Sequence, residues 1–497
     1  MKKFNLTEYC FSENLGKHPE KTALVFHYES GVRKSWTYNE IYNKIKYSAS
    51  ALCSLGIKKG SRVLIRLESD ENFVCFFLGA VLGGFIPVPL SPLLTESEIS
   101  FIRSDSDADA AVIAADLSFP DSIHLKKIFC DRGSSEYSEF SFSPPDTEEE
   151  DPAYLVYTSG TSGVPKGVLH SQRSILGRLP MHSDWSGISE KDRILHAGQL
   201  NWTYTMGVGI FDSFANGAES HLFSGKAGPE IWPELIEKEK ITLFAAVPSV
   251  YRRMIKYSHL ENRNLSSLRY VLTAGESLSP ELRELWTAKT GKEIYEALGM
   301  SEISTYISSG PSVPVKTGSA GKVQKGRNVR IIPVESGITE VKPGETGFIA
   351  VHRSDRGLML GYWKNPSEEE KCFREDWFVT GDLAFRDKEG YIFYRGRADD
   401  TMNSFGYRVS PLEIENAVLD LPFVAEAGVR ELKKGDISVI AAYIVLKNHD
   451  EGNRETAERI LMHCRNKLAY YKVPKEIFFR ESLPHGRTGK LLRRELK

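Results

Sequence analysis

Tyr157–Gly167 reads YTSGTSGVPKG, and the interpretation of this run decides the fold. Small hydroxyl residues set between glycines let backbone N–H and side-chain O–H groups close around phosphate oxygens, because no bulky side chain blocks the approach. Lys166 adds a positive charge for the outer phosphates. Before the loop, Asp151–Tyr157 (DPAYLVY) reads as a short apolar strand, and after it Gly167–His170 (GVLH) resumes an extended run. The loop therefore joins two buried elements. It is not a Walker loop, which ends Gly-Lys-Ser/Thr, since Lys166 here follows Pro165 and precedes Gly167. A nucleophile elbow is excluded as well, because Gly-x-Ser-x-Gly would need glycine at Val164.

Bulk properties narrow the class. A chain of 497 residues exceeds what one hydrophobic core serves, so two or more domains are expected. The net charge of -2 argues against a nucleic-acid or anionic-membrane partner. Six cysteines (Cys10, Cys53, Cys75, Cys130, Cys372, Cys464) lie far apart with no Cys-x-x-Cys, which favours reduced thiols in a cytoplasmic protein over disulfides or zinc. The start, MKKFNLTEYCF, has no apolar stretch of signal-peptide length. Phe73–Leu90 carries no charge, yet Gly83-Gly84, Pro87 and Pro89 would break a spanning helix, which needs about 20 residues. A buried helix over Glu71–Leu82 followed by a strand over Phe85–Leu90 is expected instead, with no integral membrane segment.

Helix-period stretches such as Thr37–Leu55 and Glu230–Glu239 alternate with β-rich runs such as Arg62–Arg66, Ala111–Ala114 and Leu268–Leu272. That alternation predicts an α/β fold with parallel-rich sheets flanked by helices. The texture changes near Gly396. Ser410-Pro411-Leu412-Glu413 reads as a capping box with proline at the first helical position, Ile437–Leu446 as a buried strand, and Ala457–Leu468 as a helix. The expected division is a large N-terminal domain, 1–398, and a small α+β domain, 399–497.

Four further segments carry chemistry. Leu268–Glu276 (LRYVLTAGE) is a strand entering a glycine turn, after which Ser279-Pro280 starts a helix. Glu293–Glu302 (EIYEALGMSE) ends with a hydroxyl beside a carboxylate. Trp377–Leu383 (WFVTGDL) is expected to expose Asp382 in a turn, and Tyr394–Arg408 concentrates charge around two glycines. With the phosphate loop, Gly344–Tyr362 and Pro484–Lys490 (PHGRTGK), the order and spacing of these motifs resemble the adenylate-forming superfamily, which contains acyl-CoA synthetases, luciferases and peptide-synthetase adenylation domains. The resemblance covers nearly the whole chain, and AMP-forming acyl-CoA ligases are the members it is most like.

The resemblance implies a cast of residues. Thr158, Ser159, Gly160, Thr161, Ser162, Gly163 and Lys166 would wrap the β- and γ-phosphates of ATP. Gly275, Glu276 and Ser277, with Ala297 and Leu298, would line the adenine site, and Glu296, Gly299 and Met300 complete the nucleotide set. Ser301 would donate to the α-phosphate and Glu302 would hold Mg²⁺, a hard ion that takes carboxylates and phosphate oxygens. Asp382 and Arg397 would serve the ribose, and Lys490 would be the catalytic cation. Asp399 falls at the family's hinge, while Gly406 and Arg408 fall on the path of CoA. The departures are His485, often lysine in relatives, Ser301 in place of threonine, and Leu298 in place of an aromatic residue.

The chemistry matches this cast. A carboxylate attacks an α-phosphate that is already negative, so cations that offset charge in the transition state matter more than a base or covalent nucleophile. The segment His196–Gly217 would form one wall of the acyl pocket, with Trp202, Tyr204 and Met206. Its one acid, Asp212, falls on a helix face rather than where amino-acid-activating relatives hold an ammonium group. His196 reads as a packed residue in preference to a substrate contact. Gly299 stands where acetate-specific relatives have tryptophan, leaving depth for a medium-chain or aromatic carboxylic acid. The expected acceptor is CoA; the alternative is the phosphopantetheine of a separate carrier protein.

Overall fold

The computed structural model describes residues 3–120, 124–130, 142–158, 165–276, 278–398, 400, 402–404, 407–434, 437–447, 452–468, 470–486 and 491–497. The chain forms two compact units, one of Met1–Leu278, Leu282–Asn328 and Val351–Asp376, the other of Ser279–Glu281, Val329–Ala350 and Trp377–Lys497. The fold is mixed α/β, as the alternation of periods implies.

In the first unit the main sheet runs in the order Gly321–Val323, Ser304–Ser308, Ile294–Met300, Tyr270–Ala274, Leu243–Ala246, Arg193–His196, Glu219–Ser224, Thr22–Tyr28, Arg33–Thr37. Its central strands are parallel, and both faces are covered by separate apolar clusters. A second, all-parallel sheet orders Ile86–Pro89, Arg62–Arg66, Ala110–Ala114 and Lys126–Cys130.

The uncharged run from Phe73 resolves as a helix, Glu71–Leu82, buried along its whole length and started by Asp70, whose carboxylate accepts from the N–H groups of Asn72 and Phe73. It packs against the helix Tyr38–Ser54, which opens on a Thr37/Glu40 capping box. Gly79 allows that approach, since an added Cβ would lie 2.9 Å from Ala49 N and Ile45 O. Burying each phenylalanine or leucine here contributes about 1.5–3 kcal/mol. Among the described residues, no helix is long and apolar enough to cross a membrane.

In the second unit, Val424–Lys434, Ile437–Leu446 and Glu476–Phe479 form a sheet covered by the helices Pro411–Leu419 and Arg454–Lys467. The helix starts at Pro411 as expected, but the capping box does not form. Ser410 makes no side-chain cap bond, and among the described residues its buried hydroxyl has no partner. Glu413, the other half of the box, is taken by Lys472 at 2.6 Å.

Candidate active site

The strands Pro152–Thr158 and Lys166–Ser171, which flank the phosphate run in sequence, pair antiparallel, with Thr158 opposite Lys166. Ser159, Gly160, Thr161, Ser162 and Gly163 lie outside the described residues. Lys166 Nζ is ion-paired with Glu368 on the helix Pro366–Cys372, and it lies 5.6 Å over the ring of Tyr362. The Tyr362 hydroxyl donates to Glu302 Oε1 at 2.8 Å. Burial, then the neighbouring Glu302 charge, pushes this phenol's pKa up, so it remains a donor. Tyr362 thus links the loop lysine to the acid of Glu293–Glu302. The Glu302 carboxylate is the donor type a hard divalent cation prefers, and its orientation is fixed by that phenol.

Ser301 and Glu302 follow the strand Ile294–Met300 in a turn held by its backbone. The Ser301 carbonyl accepts from His170 Nε2 at 2.8 Å, and the Glu302 carbonyl from Met359 N at 2.8 Å. Since a carbonyl only accepts, Nε2 carries the proton. Burial lowers His170 to about 4, keeping it neutral, and its ring stacks on Tyr154 at 4.6 Å. The turn ends at Ser304, whose φ of 78° is left-handed. Its hydroxyl accepts from Arg178 Nη1, and the next carbonyl, Thr305 O, accepts from Arg327 Nη2 at 2.7 Å.

Each of these buried arginines has a carboxylate partner. Arg178 pairs with both oxygens of Asp212, at 2.7 and 2.6 Å, and His182 contacts the same Oδ1 at 2.9 Å. Arg327 pairs with Asp355 at 2.5 Å. Asp212 ends the helical segment Thr205–Asp212, so Arg178 ties that segment to the Glu302 turn. Asp212 is on a buried helical face as expected.

Gly299 also meets a backbone constraint of its own. A strand irregularity between Leu298 and Gly299 brings the next strand close, and a Cβ at 299 would lie 2.5 Å from Ser304 O and 2.8 Å from Thr305 Cα. Backbone contact demands this glycine, whatever depth it leaves for a substrate. Ala297 is buried, and Leu298 and Met300 are partly exposed. Glu296 is buried and accepts from Leu278 N at 3.1 Å and Arg283 Nη2 at 3.2 Å, which anchors the chain after the glycine turn. Gly275 has φ 89°, a conformation that requires glycine, and Glu276 contacts Ser249 N and Oγ at 3.3 and 3.4 Å. Ser277 lies outside the described residues.

In the segment His196–Gly217, Trp202 is partly exposed, Met206 is buried, and the Tyr204 hydroxyl donates to Leu272 O at 3.3 Å. His196 is packed edge-to-face on Tyr204, with centroids 4.4 Å apart, and accepts from Gly198 N at 3.0 Å. Burial lowers it to about 3, so it is a neutral core ring.

In the second unit, Asp382 departs from its expected exposed turn. It lies in the strand Trp377–Arg386, opposite Arg397 on Tyr391–Arg397, and is 5% exposed. Tyr394 donates to its Oδ1 at 3.1 Å, and Arg397 stands 3.7 Å from that oxygen while donating to Thr380 O at 2.9 Å. Asp399, Gly406 and Lys490 lie outside the described residues, and of Arg408 only the backbone, in the strand Tyr407–Val409, is described. Tyr362, Glu368, His170, Arg178 and Arg327 are contacts that the sequence did not single out.

One described cluster elsewhere, His27, His221 and Glu239, has metal-ligand composition. Its rings lie end to end, with nitrogens 3.1 Å apart, centroids 5.4 Å apart and planes 13° from parallel. Glu219 accepts from His221 Nε2 at 3.0 Å. That leaves His221 Nδ1 to accept from His27, a hydrogen-bond chain running from His27 through His221 to Glu219.

Comparison with known proteins agrees with this geometry. The AMP-binding enzyme family matches residues 11–363, and the AMP-binding enzyme C-terminal domain matches 413–490. An uncharacterized acyl–CoA ligase of Bacillus subtilis, YtcI, is 32% identical over 96% of this chain and 93% of its own. The 4-hydroxybutyrate–CoA ligase 1 of Metallosphaera sedula is 31% identical over 100% and 91%. The crystal structure of the anthranilate CoA ligase AuaEII with anthranoyl-AMP superposes with a TM-score of 0.88 at 27% identity, covering 99% of this chain and 96% of that one. A hairpin-borne lysine, a tyrosine-held carboxylate and full-length similarity at this level lead to one conclusion: the chain belongs to the AMP-binding enzymes, among the acyl–CoA ligases.

Proposed function

We propose that this AMP-forming acid–CoA ligase activates a medium-chain or aromatic carboxylic acid whose acyl group is uncharged. The observation that carries this is the internal pairing of the charges behind the acyl wall. Asp212 is held on two oxygens by Arg178 and contacted by His182, so it does not present a carboxylate to a substrate ammonium. Arg178, bound to Asp212 and Ser304, is likewise committed and does not present a cation to a second substrate carboxylate. The wall's remaining groups, Trp202, Tyr204, Met206 and neutral His196, suit an apolar or aromatic body.

In this reading Lys166 and the hydroxyls from Thr158 onward bind the β- and γ-phosphates, and Ser301 orients the α-phosphate. Asp382 and Arg397 hold the ribose, and Gly275 lets the backbone approach the adenine. Glu302 would hold Mg²⁺, which when bound offsets phosphate charge. Lys490, on the lobe 399–497, supplies the cation that stabilises the charge built up as the acid meets the α-phosphate. The CoA thiolate, reaching the site along Gly406 and Arg408, then attacks the acyl carbonyl of the acyl-adenylate, forming the thioester as AMP leaves.

Acid-dependent exchange of labelled pyrophosphate into ATP tests the acid class. Benzoate-like and medium-chain acids are expected to support exchange, and CoA to convert exchange into thioester and AMP. Exchange confined to amino acids or dicarboxylates would overturn the proposal, as would transfer only to a carrier protein for the acceptor.

A further inference from the structure

Lys166 is already neutralised. Its ammonium is paired with Glu368 Oε1, the two side chains being 15% and 24% exposed, and the ring of Tyr362 lies beneath it. Glu368 is fixed in place on the short helix Pro366–Cys372. Its N–H donates to Asn365 Oδ1 at 3.2 Å, and its other oxygen takes Lys371 at 3.3 Å. The hydrogen bond from Lys166 holds this carboxyl below the usual range, so it is ionised at neutral pH. Any outer phosphate that uses Lys166 must therefore displace a carboxylate. Once seated, it also faces that carboxylate's negative charge. AMP has no outer phosphates and meets neither opposition.

We propose that Glu368 is a built-in anionic competitor for the outer phosphates of ATP, holding Lys166 until a polyphosphate displaces it and so setting the affinity for ATP relative to AMP. This rests on the reading that Lys166 serves the β- and γ-phosphates. The ligand class it discriminates is a polyphosphate, so pyrophosphate competes with Glu368 as ATP does.

Titration calorimetry of the full chain with ATP and with AMP, on wild type, Glu368→Gln, Lys166→Ala and the double variant, tests it. Glu368→Gln keeps the shape and removes the charge, and circular dichroism checks that it folds. It is expected to tighten ATP about fivefold, the scale of one partly exposed ion pair, while AMP is unchanged. The gain should vanish in the Lys166→Ala background. If Lys166→Ala weakens ATP but Glu368→Gln leaves it unchanged or weakens it, the competitor role is wrong and the reading of Lys166 survives. If Lys166→Ala leaves ATP binding untouched, that reading fails, and this inference with it.

Discussion

Gly207 is glycine because the Arg178 guanidinium fills the space its side chain would need: an added Cβ would sit 2.3 Å from Nη2. Gly207→Ala is accordingly expected to lower stability by about 1–3 kcal/mol, measured by denaturant unfolding, as overpacking does. Asp212→Asn leaves that buried guanidinium short of its counter-charge, at a cost of about 3–5 kcal/mol. A pH dependence follows. Burial raises the Asp212 carboxyl, but Arg178 and then His182 outweigh it and bring it to about 2, from an ordinary 3.8. A depressed pKa contributes stability that is complete above 3.8 and is lost as pH falls toward 2. The melting temperature of the wild type should therefore fall more steeply across that interval than that of Asp212→Asn; parallel curves would contradict the pairing. Asp212 was legible as a helix-face acid. Arg178 was not, because it lies 34 positions earlier with no local pattern linking the two.

Elements whose information is local were read closely. Arg62–Arg66, Glu71–Leu82 and Ile437–Leu446 match their expected bounds, since period, caps and breakers all lie within them. Elements set by distant partners were not. Asp382 looked like a turn residue after Gly381, but pairing of Trp377–Arg386 with Tyr391–Arg397 makes it part of a strand. The Ser410 box did not form, and Glu413 pairs instead with Lys472, far along the chain. Gly299 is the instructive case. Its strand irregularity carries the Ser301–Ser304 turn, so Gly299→Ala must push against Ser304 O and Thr305 Cα. Melting temperature and kcat are expected to fall together, for short and long acids alike, in adenylation assays over a chain-length series. A switch to short acids at unchanged stability would mean that pocket depth alone governs this position.

For the molecule as a whole, the order of motifs, each short and separated by structural sequence, carried most of the functional reading. Family similarity over nearly the full chain bears it out at the level of an acyl–CoA ligase. The network around Lys166 was less legible. Lys166, Tyr362, Glu302 and Glu368 come from the phosphate hairpin, a two-residue strand, a turn and a helix, joined only by folding. In the proposed mechanism they manage charge, since two anions must react while ATP is bound. In the proposed mechanism Lys490 is the decisive cation. The direct measurement compares Lys490→Ala with wild type in the two half-reactions separately: acid-dependent pyrophosphate release, and thioester formation from supplied acyl-adenylate and CoA. The variant should lose at least about a hundredfold in the first, the scale expected when one preorganised charge is removed from a transition state, and keep the second. Undiminished pyrophosphate release by folded Lys490→Ala would contradict the mechanism.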